Sequence, residues 1–334
     1  MTQSKKDKPP GKVTLRDVAR ESGVSVATVS YVLNDTGSVG EKVKKQVRTA
    51  IKRLGYRPNI AAQAMRTGRT KTIGIILPDL RNPFFPELAQ SVESAARANG
   101  FAVFMVDTQE SPTAEAEGIY KLIQYGVEGI VWCPSSDKDY FKEYNGAVPV
   151  VVIDRPLPDY DTVYSDYVKG GHLMARYLLD QGHQTVGLIS GPQSIESAAQ
   201  RRQGFLQGIG DQASLQWEVE NPFSINLCPE AVAALLKKDV SVVVAGNDMI
   251  AIGAIKLFHQ HNIKVPEEIS VVGFDDIPWS EIVQPALTTM HQPIGELGKE
   301  AVNLLMRRID NPKASRKSVI LDVALVARQS VATR

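Results

Sequence analysis

Residues 14–34 read TLRDVARESGVSVATVSYVLN. Leu15, Val18 and Ala19 fall at i, i+3 and i+4, which gives a short helix one apolar face. Thr14 can cap its start. Gly23 supplies the backbone freedom to end it in a tight turn. Ser25 suits the N-cap of a second helix, on which Val29, Val32 and Leu33 face inward. Val26, Ala27, Thr28, Ser30, Tyr31 and Asn34 are left outside or at the edge. Two short helices around a glycine turn predict a helix-turn-helix. Its second helix has little bulk at its N-terminal end and can enter a DNA major groove. Taken alone, the pattern also permits an ordinary helical hairpin.

The surrounding charge favours the DNA-binding alternative. From Met1 to Lys71 there are 16 Lys/Arg and 5 Asp/Glu, which leaves 22 and 32 for the remainder. A whole-chain net charge of +1 therefore hides a basic end joined to an acidic body. That asymmetry suits a nucleic-acid-binding segment, although a basic tail without a partner has the same composition. A third helix is expected from Glu41 to Leu54, with Val43, Val47, Ala50, Ile51 and Leu54 as its apolar stripe. Lys42, Lys44, Lys45, Arg48, Lys52 and Arg53 surround that stripe. In the following GYRPNIAAQAMRTGRTKTIG, Gly55 stops the helix and Pro58 sets a turn. Asn59 can cap a short helix from Ile60 to Thr67, ahead of a linker.

The rest alternates apolar runs with amphipathic stretches. The clearest runs are 73–77, 102–106, 129–132, 150–153, 185–190, 241–245 and 269–274. β-Branched runs separated by helices predict a parallel sheet covered on both faces. There are too many runs for one compact sheet, so two lobes are expected. The predicted organisation is a disordered basic tail (1–12), a helix-turn-helix domain (13–58), a hinge helix and linker (59–71), and a two-lobe body (72–334). Lobe 1 takes 72–164 and 292–318. Lobe 2 takes 165–291 and 319–334. The fold class is α/β: three N-terminal helices and a hinge helix, then two doubly wound parallel-sheet lobes.

Ligands in such sheets bind beyond the carboxyl ends of the strands. There the sequence places Arg81-Asn82-Pro83-Phe84-Phe85, Asp107-Thr108, Asp154-Arg155, Arg201, Asn247-Asp248 and Asp275-Asp276, with Gln292 near a crossover. Asp, Asn, Arg and Gln can bridge adjacent sugar hydroxyls. Phe84, Phe85 and Phe223 offer flat apolar walls. Singly, each polar residue is as easily a helix cap or a solvated side chain; their convergence at strand ends points to a binding site.

The run VTLRDVARESGVSVATVSYVLN, followed by LGYRPNIAAQAMRTGRTKTIGIILPD, closely resembles the lactose/galactose-repressor family of regulators, and the likeness covers nearly the whole chain. The resemblance implies DNA contacts at Thr14, Ser25, Val26, Ala27, Thr28, Ser30, Tyr31, Asn34, Tyr56, Asn59, Ala62 and Met65. It also implies a hinge helix that folds on the operator, with Met65 as a minor-groove wedge where leucine is usual. Tyr31 stands where many members carry a base-reading arginine, and Gly40 where a capping serine is usual. The body is similar to periplasmic sugar-binding proteins, most of all the ribose-binding branch. Carried over, the effector contacts fall on Asn82, Phe84, Phe85, Asp154, Arg155, Arg201, Phe223, Asn247, Asp275 and Gln292. The Asp154-Arg155 pair separates this pattern from purine-sensing relatives, which have an apolar or aromatic residue after the aspartate. Arg155 and Arg201 leave a phosphorylated sugar open.

The expected function is a sugar-switched, homodimeric transcription regulator, a repressor, that binds operator DNA. A transport-associated sugar-binding protein and a sugar-active α/β enzyme are the alternatives. MTQSKKDKPPGK lacks the apolar segment of a secretory signal, and no run approaches the roughly 18 apolar residues of a membrane helix. A cytoplasmic protein without membrane partners is therefore expected. Cys133 and Cys228 have no metal-ligand spacing and are expected to be reduced. There is no GxGxxG after a strand, no GxxxxGK[ST] and no GxSxG. His172, His183, His259, His261 and His291 form no HExxH pair. Neither a catalytic residue nor a metal or cofactor is expected.

Overall fold

The structure is a computed structural model that describes residues 13–57, 68–135, 139–144 and 146–334. The chain forms two units, Met1–Thr70 and Lys71–Arg334.

In the first unit, α1 (Leu15–Ser22), α2 (Val26–Asn34) and α3 (Glu41–Leu54) pack around Val18, Val29, Val32, Val47 and Ala50. Thr14 caps α1 in a reciprocal box with Asp17, and Gly23 ends it in the left-handed region. Ser25 caps α2 by accepting from the Thr28 N–H at 3.1 Å. Gly40 gives α3 no side-chain cap, and Gly55 closes it in the left-handed region. The expected hinge helix from Ile60 to Thr67 and the basic tail lie outside the described residues.

In the second unit the first sheet contains β1 (Thr72–Leu77), β2 (Ala102–Asp107), β3 (Ile130–Trp132), β4 (Val150–Ile153) and β5 (Asp161–Ser165). Between them run α4 (Phe84–Ala98), α5 (Pro112–Gln124) and a 3-10 turn at Tyr140–Tyr144. The second sheet contains β6 (Thr185–Ser190), β7 (Ser214–Glu220), β8 (Val242–Ala245) and β9 (Ser270–Val272). Its helices are α6 (Tyr167–Asp180), α7 (Glu196–Ile209), α8 (Pro229–Leu235), α9 (Asp248–Gln260) and α10 (Trp279–Ile282). The chain then runs through β10 (Thr289–His291), α11 (Ile294–Asp310), β11 (Ser318–Leu321) and β12 (Ala324–Val326).

Sheet order is β11-β5-β4-β3-β1-β2 in the first lobe and β7-β6-β8-β9 in the second, every pairing parallel. β10 and β12 pair antiparallel. The central strands are buried on both faces, as their Val/Ile runs require. The chain passes between lobes three times: after β5, after β10 and after β11. The last passage corrects the expected boundary at 318. Ser318–Leu321 pairs with Thr162–Ser165 and so extends the first sheet to Leu321. Among the described residues, no helix is long and apolar enough to cross a membrane. Cys133 and Cys228 are both free.

Candidate functional site

In the first unit the exposed surface of α2 carries Val26, Ala27, Tyr31 and Asn34, with Thr28 and Ser30 half-buried beside them. The N-cap Ser25 is also exposed, and its hydroxyl lies 2.8 Å from that of Thr28. Asn34 Nδ2 donates back to Ser30 O at 2.9 Å. Thr14 spends its hydroxyl on Asp17. Tyr31 is 50% exposed, and its ring lies against Gly37, where a Cβ would come within 3.3 Å of it. Tyr56 is mostly buried. The turn at Gly55 folds its N–H onto Ile51 O at 3.0 Å and packs its ring into the three-helix core. Asn59, Ala62 and Met65 lie outside the described residues.

In the second unit the strand ends of both lobes open on one cleft of about 230 Å3. The first lobe contributes Asn82, Phe84 and Phe85 after β1, and Asp154 and Arg155 after β4. The second contributes Arg201 from α7, Phe223 after β7, Asn247 after β8 and Asp275 after β9. Phe84 and Phe85 meet edge to face with centroids 5.2 Å apart. Asn82 Oδ1 accepts from the Phe84 N–H at 3.2 Å, which fixes the turn that presents both rings. Asn247 Oδ1 caps α9 through the Ile250 N–H at 3.0 Å.

Arg201 is the centre of the charge arrangement. Its Nη1 lies 3.0 Å from Asp275 Oδ1 and donates to Gly246 O at 2.9 Å. The guanidinium lies over the Phe274 ring, 4.1 Å from its centroid. Burial works against its charge, but Asp275, Tyr167 and Asp154 more than offset that, so the cation is retained. Burial raises the Asp154 carboxyl against the lowering pull of Arg201, while Tyr167 donates to its Oδ1 at 2.5 Å. Burial also pushes Asp275 up to about 6, with Arg201 opposing. Arg155 Nε and Nη1 are buried without a hydrogen-bond partner, as is Arg201 Nε. Such orphaned donors are costly in a folded protein.

Glycines set the position of Arg201. A Cβ on Gly171 of α6 would lie 2.2 Å from Arg201 O, and one on Gly204 of α7 would lie 2.0 Å from Val168 O. Without side chains there, the two helix backbones touch, and α7 brings Arg201 under Asp275.

Nine of the ten expected effector residues line this cleft. Gln292 does not. It is fully buried behind Asp275 and donates from Nε2 to Asp275 Oδ1 at 2.8 Å, because the crossover after β10 runs beneath the β9 turn. Sequence reasoning missed Asp79, Glu110, Ser135 and Ser197, which also line the cleft, and Tyr167, which holds Asp154. Ser197 was findable: it lies four residues before Arg201 on the same helix face. Asp107 and Asp276, also at strand ends, point elsewhere. Asp107 supports the Leu80 N–H at 3.3 Å, and Asp276 pairs with Arg328 and His291 at 2.7 and 2.9 Å.

The comparisons with known proteins match both units. Residues 14–59 fit the bacterial regulatory proteins of the lacI family, and residues 70–329 fit the periplasmic binding proteins and sugar-binding domain of that family. The chain belongs to the lacI family. Among curated relatives, this lacI-family chain is 34% identical to the ribose operon repressor of Halalkalibacterium halodurans, over 95% of this chain and 96% of that protein. It is 32% identical to the transcriptional repressor PurR of Mannheimia succiniciproducens, over 95% and 98%. Among solved structures it is similar to the lac repressor dimer bound to operator and the anti-inducer ONPF. There the TM-score is 0.84 at 28% identity, over 96% of this chain and 99% of that one. A lacI-family regulator from Enterococcus faecium with bound ribose matches at a TM-score of 0.70 and 29% identity, over 79% and 99%.

Proposed function

We propose that this chain is a transcriptional repressor whose grip on operator DNA is switched by a free monosaccharide of the ribose type, bound in the cleft between the lobes. The observation that carries the reading is the buried Asp154–Arg201–Asp275 group beside Phe84, Phe85 and Phe223, with Arg155 lining the same cleft. Alternating acceptors and donors beside aromatic faces suit a polyol ring. The cavity is smaller than the about 300–1,000 Å3 of drug-sized sites, which suits a single sugar ring. Four carboxylates line it (Asp79, Glu110, Asp154, Asp275) against two guanidiniums (Arg155, Arg201). That balance disfavours a phosphorylated sugar.

The exposed surface of α2 supports operator reading in the major groove, with Tyr31 where it cannot form an arginine's bidentate contact to guanine. A two-fold operator calls for two copies. The open β2 edge, with Phe104, Met105 and the nearby Tyr125 exposed, offers a surface for a second copy. The sugar acts by binding the open and closed lobe arrangements with different affinity; without that difference it switches nothing. The protein works in the cytoplasm, where its DNA is, and turns over no substrate. The PurR relatives are the reason to test a purine alongside sugars. Titration calorimetry with ribose, ribose 5-phosphate and hypoxanthine tests the reading. Binding of ribose alone supports it; binding of hypoxanthine alone overturns it.

A further inference from the structure

Behind the cleft, one buried acid holds three pieces of its wall. Asp248 is the first residue of α9 and is fully buried. Its Oδ2 accepts from the Ile277 N–H at 2.9 Å, and its Oδ1 lies 2.5 Å from Thr289 Oγ1. Its own N–H donates to Phe274 O at 2.8 Å. Each contact abuts a cleft group. Asn247 precedes Asp248, and Asp275 sits between Phe274 and Ile277. Thr289 starts the strand that leads to Gln292, the donor to Asp275. Asp275 has a φ of 118°, a conformation that L residues hold only where their surroundings enforce it, and Asp276 follows in the left-handed region at 60°. The Asp248 carboxyl group sits where that enforcement is needed. Gly273 leaves room for it: a Cβ there would be 2.2 Å from Asp248 Oδ1.

We infer that Asp248 is a positioning residue that locks the Asp275 turn and ties it, through Thr289, to the second crossover between the lobes. No cationic side chain contacts it among the described residues, and its neighbouring charges are Asp275 and Asp276, the latter paired with Arg328. Burial and the Asp275 carboxylate hold its carboxyl well above the ordinary range, which favours the neutral acid; in that form one oxygen accepts from the Ile277 N–H and the other, as O–H, donates to Thr289 Oγ1. An amide keeps both contacts, its oxygen accepting from the Ile277 N–H and its NH2 donating to Thr289 Oγ1; a methyl group keeps neither. The effect on ligand rests on the sugar reading of the cleft; the effect on the turn does not.

The test compares Asp248→Asn and Asp248→Ala in the full chain, by crystallography without ligand and by ribose calorimetry. Asp248→Asn is expected to keep Asp275 against Arg201 and ribose affinity within about threefold of the parent. Asp248→Ala is expected to part that pair and weaken ribose by about tenfold or more. If the parent binds no ribose but the Ala variant still displaces the turn, the sugar reading fails and the positioning role stands. An undisturbed Asp275–Arg201 pair in the Ala variant overturns the role, as does an Asn variant as damaged as Ala. Should the Ala variant fail to fold, Thr289→Val cuts the crossover tie alone. It is expected to shrink the ribose-induced change in operator affinity by about fivefold or more while ribose still binds; an unchanged response overturns the tie.

Discussion

Replacing Arg201 with methionine removes one charge from the centre of the cleft while keeping an apolar, flexible chain over the Phe274 ring. What is lost is the 3.0 Å contact to Asp275, the 2.9 Å bond to Gly246 O and the cation between two buried carboxylates. Breaking one side of a buried pair costs about 3–5 kcal/mol. Here Asp275 can relieve part of that by taking up a proton, since it already titrates near 6 with Arg201 present. Its rise of roughly two units above an ordinary aspartate corresponds to about 3 kcal/mol of lost stability at neutral pH. The sign follows from proton counts. With its folded value raised, Asp275 holds more protons folded than unfolded between about pH 4 and its folded value, so stability falls as pH climbs through that window. Without Arg201 the window extends upward. The variant should lose about 3 kcal/mol at pH 8, a melting shift of about 6–12 °C for a unit of this size, and much less at pH 5. Its ribose affinity should fall by about 10- to 100-fold, the value of charge-assisted hydrogen bonds lost from a dry site. Scanning calorimetry from pH 5 to 8 and ribose titration read both effects. Parental melting at pH 8 together with ribose affinity within about twofold would refute the charge assignment.

Three further expectations follow from the same geometry. Gly204→Ala, which drives a methyl group to 2.0 Å from Val168 O, should separate α6 from α7, cost about 1–3 kcal/mol or more in a urea melt and weaken ribose binding by displacing Arg201. Undiminished ribose affinity would show that the close helix approach does not position the arginine. In the parent, ribose affinity should decline as pH falls below about 6, because sugar hydroxyls donate to the ionised form of Asp275; a flat calorimetric profile from pH 7.5 to 5 would count against that contact. His183 is buried with its Nδ1 3.0 Å from Ser241 Oγ, and burial lowers it to about 4. Its folded state therefore binds fewer protons than the unfolded chain below pH 6.5, and stability should drain as pH falls from 6.5 toward 4. His183→Asn should flatten that slope in thermal melts, and an unaltered slope would assign the acid sensitivity elsewhere.

Much of this molecule is legible without coordinates, for identifiable reasons. The three N-terminal helices announce themselves because Thr14, Ser25, Gly23 and Gly55 are residues whose local chemistry starts or stops a helix regardless of context. The central strands are legible because burial on both faces demands continuous Val/Ile runs. The edge strand Ser214–Glu220 escapes because its SLQWEVE alternates and is half exposed, and Asp161–Ser165 because it opens with two polar residues. The cleft residues after strands are readable from a topological rule, but rotamer and depth are not. That is why Gln292 could be placed at the site yet not behind Asp275, and why the packing of the Tyr56 ring into the three-helix core could not be read. Asp248 and Glu115 are both fully buried acids, and nothing in one dimension marks that burial. Only packing shows Glu115 accepting from the Trp132 indole at 2.6 Å and from Ser135 in the cleft wall.

The central claim is that one small neutral sugar in the cleft changes how the first unit holds DNA. The most direct measurement is fluorescence anisotropy of the full chain on an operator fragment selected from random DNA, with and without ribose, at fixed salt. Saturating ribose is expected to shift operator affinity by about tenfold or more, and Arg201→Met is expected to bind the operator but no longer respond. An operator affinity indifferent to ribose, but shifted by hypoxanthine, would contradict it.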